Sequence, residues 1–571
     1  MRNYILHIAL FLGVLFLSAT SFSQNDTIIV IDAKGEGDRI IKTTKKRSLT
    51  PILFEDTTQS QINSDFVFYE YTASSELQLQ PISPARLKVV NPLEELKRGY
   101  VKVGVGNYLT PMSEVYYNSL RSKNNNWGIH GRHISSNTSI KNTGFSGLSE
   151  NEANAFYQHF YKKFSVTGQV NYNRSMNHFY GFNPEDLVVL DNDSLKQVFN
   201  TIGGGINFKS FKIDTGDVNW DGTLNYTNYS DRYEAKENNV DFDLNTSKMI
   251  KKELFALDFG IDFNSYNSIE SAPFRASATF TPNLETNNNT ILEISPKIIT
   301  SRKKLYASFG FSVFADINDK TSFHFYPNIE AKYSFLDIFI PYVGINGGLE
   351  RNSFRSLSSD NPFVLSQVRL QNTNTRYNVY GGVRGSITNE VSFNVSIARQ
   401  SIFGNALFVN DSTYSIQNKM DVIYDSMDVT ELNAQITYLQ SEKVRVFLKG
   451  KYSFFSPLNQ AYVWNTPALD ISLGGVYDLA DKIMVRADIY YIGARKAKSL
   501  VPVADAELNN DNSYSVNQNA FFDFNLGFEY RYNKSISAFL NFNNIIGQKY
   551  QVYNQFPVQG INILGGATLR F

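Results

Sequence analysis

From about Arg98 to the end of the chain, apolar and polar residues alternate with period two. One run sets Phe522, Phe524, Leu526, Phe528, Tyr530 and Tyr532 against Asp523, Asn525, Gly527, Glu529 and Arg531. Another sets Ile483, Val485, Ala487, Ile489 and Tyr491 against Met484, Arg486, Asp488 and Tyr490. A third carries Leu305, Ala307, Phe309, Phe311 and Val313 between Tyr306, Ser308 and Ser312. Successive strand side chains point to opposite faces. Each run therefore predicts a strand with one oily, aromatic face and one polar, charged face. The runs extend over about 11 to 15 residues, whereas soluble strands average about 5 or 6. Tight turns fall near Lys162–Lys163, Lys251–Lys252, Arg302–Lys303, Asn389, Glu442, Asp481 and Asn533. They alternate with long polar loops near 178–196, 266–288, 353–372, 404–428, 494–518 and 547–559. Short turns on one side and long loops on the other are the asymmetry of an outer-membrane barrel. In hydrocarbon every backbone polar group needs an internal partner, and a closed sheet supplies them all. The predicted fold class is all-β: a transmembrane antiparallel β-barrel of about 22 strands over 98–571, with both ends in the periplasm.

Three details test that register. Phe274 to Thr281 also alternates, but an extra strand would break the even count, so the segment is assigned to an external loop. Pro296 and Pro327 lie inside alternating runs where every N–H should pair, and they predict a bulge or a slipped register. Tyr226, Tyr229, Tyr452 and Tyr532 near strand ends predict an aromatic girdle at the membrane interface.

The start of the chain is patterned differently. Arg2 precedes an apolar stretch through Ile5, Leu10, Phe11, Val14, Leu15 and Leu17, and small residues follow at Ser21 and Ser23. Residues 1–23 read as a secretory signal peptide cut before Gln24, for Sec-type export to the outer membrane of a Gram-negative cell. The stretch is shorter than the roughly 20 apolar residues of a membrane span. Residues 24–97 are polar and weakly periodic, with Pro51, Pro81, Pro84 and Pro92, and read as a periplasmic or lumenal N-terminal arm.

Composition narrows the function classes. The chain of 571 residues has no cysteine, which removes disulfides, thiolate metal sites, cysteine nucleophiles and lipoprotein anchoring. Lys plus Arg and Asp plus Glu both number 54, so no net positive field exists to hold nucleic acid. The 44 Phe, 34 Tyr and 3 Trp make 14% of the chain aromatic, as lipid-facing strands require.

The C-terminal strand ends on Phe571, with Leu569, Ala567, Gly565, Ile563 and Ile561 at alternate positions above it. This resembles the signal read by the outer-membrane barrel-insertion machinery, with Phe571, Leu569 and Ala567 as its carriers. Upstream, Phe539-Leu540-Asn541-Phe542-Asn543-Asn544-Ile545-Ile546-Gly547-Gln548-Lys549-Tyr550 resembles the penultimate-strand motif of TonB-dependent receptors. It differs in having Ile545-Ile546-Gly547 where the family has Leu-Phe and a polar residue. Gly104-Val105-Gly106-Asn107-Tyr108-Leu109-Thr110-Pro111 resembles the opening barrel hairpin of a receptor-like family of Bacteroidota. The resemblance implies a receptor-like barrel over 98–571 and an outer-membrane transport role. It also implies a plug of well over a hundred residues, yet residues 24–97 provide only 74. The lumen is then expected to be filled by this arm, by infolded loops or by a plug-like partner. Asp26-Thr27-Ile28-Ile29-Val30 resembles the family's energy-coupling box, which adds a strand to the edge of a TonB-type periplasmic protein.

Other chemistry has weaker support. His130 and His133 are three apart and face opposite sides of a strand, so they cannot share a metal. His324 is placed in the lumen, far from Glu330. Asp191, Asp193, Asp421, Asp425, Asp428, Asp505, Glu507 and Asp511 carry the oxygen ligands calcium prefers but lack the Gly-centred loop spacing, and read as solvated loop acids. Gly203–Gly205 precedes no helix and reads as relief of crowding or a bulge rather than a phosphate cradle. Arg445, Lys449, Lys451, Arg486 and Asp488 are placed on the lumenal face, lining a solute path or pairing with one another or with the arm. No cofactor and no catalysis are expected. The reading is a transport conduit for an unidentified solute, with outer-membrane lipid around it; the alternative is a non-transporting scaffold subunit of an outer-membrane complex.

Overall fold

A computed structural model describes residues 96–571 apart from 183–190, 212–216, 270–283, 319, 336–337, 412–417, 441–442 and 500–505. The signal peptide, the coupling-like box, nearly all of the arm and the segment Phe274–Thr281 lie outside the described residues.

The first strands are β1 Gly99–Gly106, β2 Thr110–Asn118, β3 Asn125–Ser136, β4 Leu148–Phe160, β5 Phe164–His178, β6 Lys196–Ser210, β7 Asn219–Asp231, β8 Lys236–Ile250 and β9 Glu253–Ile269. Then come β10 Leu284–Arg302, β11 Leu305–Ile317, β12 Thr321–Tyr333, β13 Phe339–Glu350, β14 Thr373–Ser386, β15 Val391–Asn410, β16 Met420–Gln440, β17 Val444–Pro457, β18 Leu469–Leu479 and β19 Ile483–Ile492. The last are β20 Arg495–Ser499, β21 Glu507–Leu508, β22 Tyr514–Gln518, β23 Phe521–Arg531, β24 Ile536–Asn543, β25 Gln551–Tyr553, β26 Phe556–Pro557 and β27 Asn562–Arg570. A short helix, α1 Phe354–Asp360, lies in the β13–β14 loop.

Twenty-two of these strands form one antiparallel sheet that closes on itself. Each pairs with its neighbours in sequence, and β27 returns to β1 with Tyr100 opposite Arg570 and Gly106 opposite Leu564. Strands β20–β22 and β25–β26 are small extra sheets carried on loops. Closure removes the edges that an open sheet would expose to lipid.

The alternation sorts faces as the sequence predicts. Phe309, Phe311, Ile397, Leu432, Leu473, Phe522 and Leu540 are exposed on the outer wall. Their neighbours in sequence face the lumen, where Lys297 pairs with Asp258 at 2.7 Å, Lys451 with Glu431 at 2.5 Å and Arg531 with Asp478 at 2.7 Å.

Several expectations are corrected. The two prolines cause neither a bulge nor a slip. Ile294 opposite Val313 and Lys297 opposite Gly310 keep one register across the Ser295–Pro296 gap in the β10–β11 ladder. Pro327 holds its place opposite Phe311, and the β12–β13 ladder covers only Ile329–Lys332. Each proline thus sits where a neighbouring ladder is already interrupted, so its missing N–H costs no bond. Register shifts occur instead at Asn346/Gly348, Thr375/Tyr377 and Ile402/Asn405. Most of 404–428 is strand rather than loop, because β15 and β16 run to Asn410 and from Met420. Likewise Tyr266–Ile269 and Leu284–Asn288 are strand ends. External connections are not all long: β1–β2 turns through Asn107–Leu109, β7–β8 through Arg232–Ala235 and β11–β12 through 318–320. Tyr229 does not join a girdle. It lies on the lumenal face of β7, buried and stacked on Phe199, while Tyr226, Tyr452 and Tyr532 are exposed.

Candidate functional site

The loop-side end of the barrel is covered by the chain's own loops. The β13–β14 loop enters through α1, whose start is held twice. Ser353 accepts the Ser356 N–H at 3.0 Å, and the Ser356 hydroxyl accepts the Ser353 N–H at 2.9 Å, a reciprocal cap. From the wall, Glu237 Oε2 accepts the Phe354 N–H at 2.6 Å. Phe354 is fully buried and meets the lumenal rings Phe199, Tyr229 and Tyr266 at centroid distances of 6.1, 5.6 and 5.4 Å. Leu357, Val364 and Val368 complete this core with Val422 of β16.

A second core joins other loops to the same unit. Phe363 stacks on Phe556 at 3.7 Å, and Tyr180 meets both edge-on. Ile140, Phe179, Met420 and Tyr553 surround them. Polar bonds tie the loops crosswise: Tyr180 Oη donates to Pro557 O at 2.9 Å, Tyr553 Oη to Asp360 O at 2.9 Å, Asn418 Nδ2 to Phe179 O at 2.6 Å and Gln559 Nε2 to Ser136 Oγ at 3.0 Å. The β15–β16 hairpin is buried on both faces. Ala406, Phe408, Val422 and Tyr424 join the α1 core, and Leu407, Val409, Met427 and Val429 pack with Val463 and Trp464.

Lys419, at the tip of that hairpin, lies over Phe179 at 4.8 Å and Tyr233 at 4.7 Å. Burial pulls its ammonium pKa down to about 8, against the opposing pull of Asp411 and Asp231. The buried Asp231 carboxylate accepts from Tyr233 N, Ala235 N and Gln197 Nε2, and Ser366 Oγ also donates to it. One carboxylate thereby shapes the β7–β8 turn and anchors the β13–β14 loop.

Beneath the β13–β14 loop is a cleft of about 340 Å³ lined by Gln169, Asn171, Asn225, Thr227, Asn239, Asp241, Arg351 and Arg355. Arg351 Nε donates to Asp262 at 2.8 Å, and Asn239 Nδ2 to the other oxygen of that carboxylate at 2.7 Å. Of the run Gly203–Gly205, Gly204 borders the cleft. A Cβ at Gly205 would come within 2.2 Å of Asn225 Oδ1, so the glycine run makes room for neighbouring amides on the lumenal wall. The lining presents hydrogen-bond donors and acceptors in place of an oily surface, and suits a hydrated polar solute.

The other sequence candidates are accounted for locally. His130 faces the lumen, stacked on Tyr116 and bonded to Glu114 at 3.1 Å, while His133 bonds Asn151 at 2.7 Å. His324 bonds Ser322 and Asn374. Asp193 pairs with Arg232, which lowers its carboxyl pKa, and Lys498 beside Asp511 holds that carboxyl at about 2. Asp425 accepts backbone N–H groups of Asn459 and Gln460, and Asp428 pairs with Arg399. Glu507 pairs with Lys496, and Asp421 accepts the Val422 N–H. Asp505 lies outside the described residues. At the terminus, Phe571 exchanges backbone bonds with Gly99 at 2.8 and 3.0 Å, and Leu569 and Phe571 are exposed.

Sequence reasoning named infolded loops as one way to fill the lumen but missed the residues that build the cap. Their signal was the continuous apolar run Ala406–Val409, a mark of a strand buried on both faces.

No protein-family model matches the chain, and no curated protein matches it. Solved structures do. The ferric-catecholate import receptor Fiu of E. coli K12 aligns with a TM-score of 0.62 at 9% identity, over 84% of this chain and 82% of that one. The FrpB iron transporter of Neisseria meningitidis gives the same four figures. The pyoverdine outer membrane receptor FpvA of Pseudomonas aeruginosa, bound to pyoverdine, aligns at 0.60 and 12% identity over 84% and 79%. At such identities the likeness is one of fold: the chain shares the closed barrel fold of these structures.

Proposed function

We propose that this protein is an outer-membrane conduit that imports a polar solute, in the manner of TonB-dependent receptors. The observation that carries the reading is the closed 22-strand barrel with a charged lumen, in the fold of a named import receptor, an iron transporter and a pyoverdine receptor. Those neighbours favour a conduit over a scaffold subunit, and a receptor over an enzyme. The solute reaches the hydrogen-bonding cleft at Asn171, Asn225 and Arg351 once the loop cap opens, and leaves toward the periplasm. Residues 1–23 export the chain, residues 24–97 are its periplasmic or lumenal arm, and Phe571, Leu569 and Ala567 hand the barrel to the insertion machinery. Energy enters through Asp26, Thr27, Ile28, Ile29 and Val30, a segment rich in β-branched residues that adds a strand to a TonB-type coupling protein.

The test compares three strains in pooled growth on a panel of limiting nutrients: intact gene, deletion of residues 26–30, and null. The expected result is a nutrient on which the box deletion is as unfit as the null, together with photo-cross-linking from position 27 to an inner-membrane-anchored protein. Equal fitness of all three strains on every nutrient, with no such cross-link, counts against the reading.

A further inference from the structure

The turn side of the barrel is charged unevenly. Strands β2 to β11 are consecutive in the wall and make up ten of its 22 strands. The five turns that join them on this side, at 119–124, 161–163, 211–218, 251–252 and 303–304, hold nine Lys and Arg against two acids, Asp214 and Asp217. The next five, at 334–338, 387–390, 441–443, 480–482 and 532–535, hold three Lys against four acids. The bases of the first group come in pairs. Lys162 with Lys163, Lys251 with Lys252 and Lys303 with Lys304 are all exposed, as are Arg121 and Lys123. None of them makes an ion pair among the described residues. The acids on the adjoining strand ends are already held: Glu253 by Arg302 at 2.6 Å and Asp221 by Lys209 at 3.0 Å. In the β6–β7 turn Asp217 is described, while Lys212 and Asp214 lie outside the described residues. At the seam Lys97 and Arg98 directly follow Glu94 and Glu95 and bring no net charge.

The outer wall runs straight into this basic arc. Ile250 precedes Lys251 and Leu305 follows Lys304, and both apolar side chains are exposed. Lys248 stands on the outer wall itself, opposite the exposed Phe255, and it too is exposed with no ion pair among the described residues. Its stem can lie along acyl chains while its ammonium reaches the phosphates. Rings mark the depth. Trp127 and Trp220 sit at the turn ends of β3 and β7, in the outward rows of Ile129 and Leu224. Tyr117 lies 5.8 Å from Trp127, and Phe164 lies 5.8 Å from Trp220. Such rings settle where hydrocarbon meets headgroups, so the pairs in the turns beyond them stand at the level of the phosphates. Turns of two or three residues build no socket for a folded partner. They do leave flexible ammonium groups beside whatever headgroups border the wall.

We propose that the turns from β2–β3 to β10–β11 form a binding arc for anionic glycerophospholipid. Phosphatidylglycerol-type headgroups lie among the lysine pairs, and their acyl chains lie on the outward rings. Short turns face the periplasm in an outer-membrane barrel, so the arc gathers anionic lipid along one half of the periplasmic rim and leaves the other half unselective. Charge carries the recognition. A zwitterionic headgroup brings no net charge, whereas an anionic surface gains about fivefold in association for each Lys or Arg beside it.

The chain's own tryptophans read the test. Of its three, Trp127 and Trp220 lie on the outer wall of the arc, and Trp464 is buried in the cap and supplies a constant background. Full-length protein is folded into phosphatidylcholine vesicles that carry acyl-brominated phosphatidylglycerol or, at the same mole fraction, acyl-brominated phosphatidylcholine. Quenching then reports which lipid touches the two rings, and heat-modifiable migration selects the assembled barrel in every variant. The expected result is at least about a threefold preference for the anionic lipid, narrowed in molar salt, where screening acts beyond about 3 Å. A variant with Lys162, Lys163, Lys248, Lys251 and Lys252 all changed to Gln should lose the preference. Lys482→Gln with Lys534→Gln, on the other half of the rim, should keep it. Equal quenching by the two lipids in the parent, a preference that survives the five substitutions, or one lost in the distant pair overturns the proposal. Sedimentation with isolated peptidoglycan sacculi tests the rival anion. Binding by the parent that the five substitutions abolish, without a lipid preference, gives the arc to the cell wall and also overturns the proposal. No readout depends on transport, so failure here leaves the conduit reading standing.

Discussion

The transmembrane wall and the loop cap are built by the same strands under opposite rules. In the wall, Ile397 and Leu432 are exposed while Ser396 and Asn433 face the lumen, so the alternation separates oil from water. A few residues farther along the same hairpin, Leu407, Phe408 and Val409 all lie in apolar cores, and both faces are packed. The wall derives its order from the bilayer, which penalises any polar group facing out. The cap derives its order from side-chain packing and cross-loop hydrogen bonds, as a soluble core does. The wall should therefore be sensitive to polarity on one face only, and the cap to volume.

The largest effect expected is on wall polarity. Ile397→Arg places a charge at mid-height on the lipid face and should cost about 2–4 kcal/mol of barrel stability. The next residue gives the contrast, since Ser396→Arg faces the lumen and should assemble normally. Urea unfolding in lipid vesicles, with heat-modifiable migration as the readout, compares them. Equal losses would remove the distinction between the two faces. A cavity tests the cap. Phe354→Ala removes a fully buried ring from among Phe199, Tyr229 and Tyr266, at a cost of about 3–4 kcal/mol. The loss should stay local: limited proteolysis cuts the β13–β14 loop faster, while the barrel keeps its heat-modifiable form. Collapse of the whole barrel would mean that cap and wall are one cooperative unit.

The same contrast explains what could be read from the sequence. The strand phase of β23 and of β19 was legible because one face meets lipid and the other water, which writes period two into residue choice. The end of β15 was not. Asn405, Asn410 and Asp411 flank its apolar run and look like loop residues, yet Asn410 accepts from Asn554 and Asn405 pairs opposite Asp425. Once both faces are buried by neighbouring loops, period two carries no information about burial. Tyr229 failed for a related reason, since a tyrosine near a strand end reads as a girdle residue until its lumenal face and its neighbour Phe354 are known. The cleft was legible only through Gly203–Gly205, read as relief of crowding or a bulge, and the crowding comes from amides of β5 and β7 that register alone brings together.

A smaller effect separates cap from wall by pH. Burial lowers the Lys419 pKa to about 8, below that of the same amine in an open cap. Between about pH 8 and 10.5 the open state holds more protons than the closed one, so cap stability rises with pH across that window. The gain is on the order of 2 kcal/mol. Lys419→Met lacks the titrating group and should show a flat profile, with a cap at least as stable as the parent at pH 7. The ratio of parent to variant proteolysis rates at matched pH reads this directly. A parent cap that loosens as pH rises from 8 to 10 would show instead that the contacts of the charged amine with Phe179 and Tyr233 outweigh its burial.

The smallest effect belongs to the seam where the chain closes the wall on itself. Phe571 pairs with Gly99 through the backbone, and its ring covers the place where a side chain would stand, with a Cβ at Gly99 falling 2.3 Å from the ring tip. The obstacle is the far end of a side chain half open to lipid, so the ring can swing aside. Gly99→Val should then cost only about 1 kcal/mol in the finished barrel. Folding of β27 onto β1 is the step that meets the clash, so the cost should appear chiefly as slower conversion to the heat-modifiable form in a vesicle refolding assay. Phe571→Ala in the same background removes the clash and should restore the rate. If the double variant is slower still, the ring is needed for closure in its own right, and Gly99 serves only to give it room.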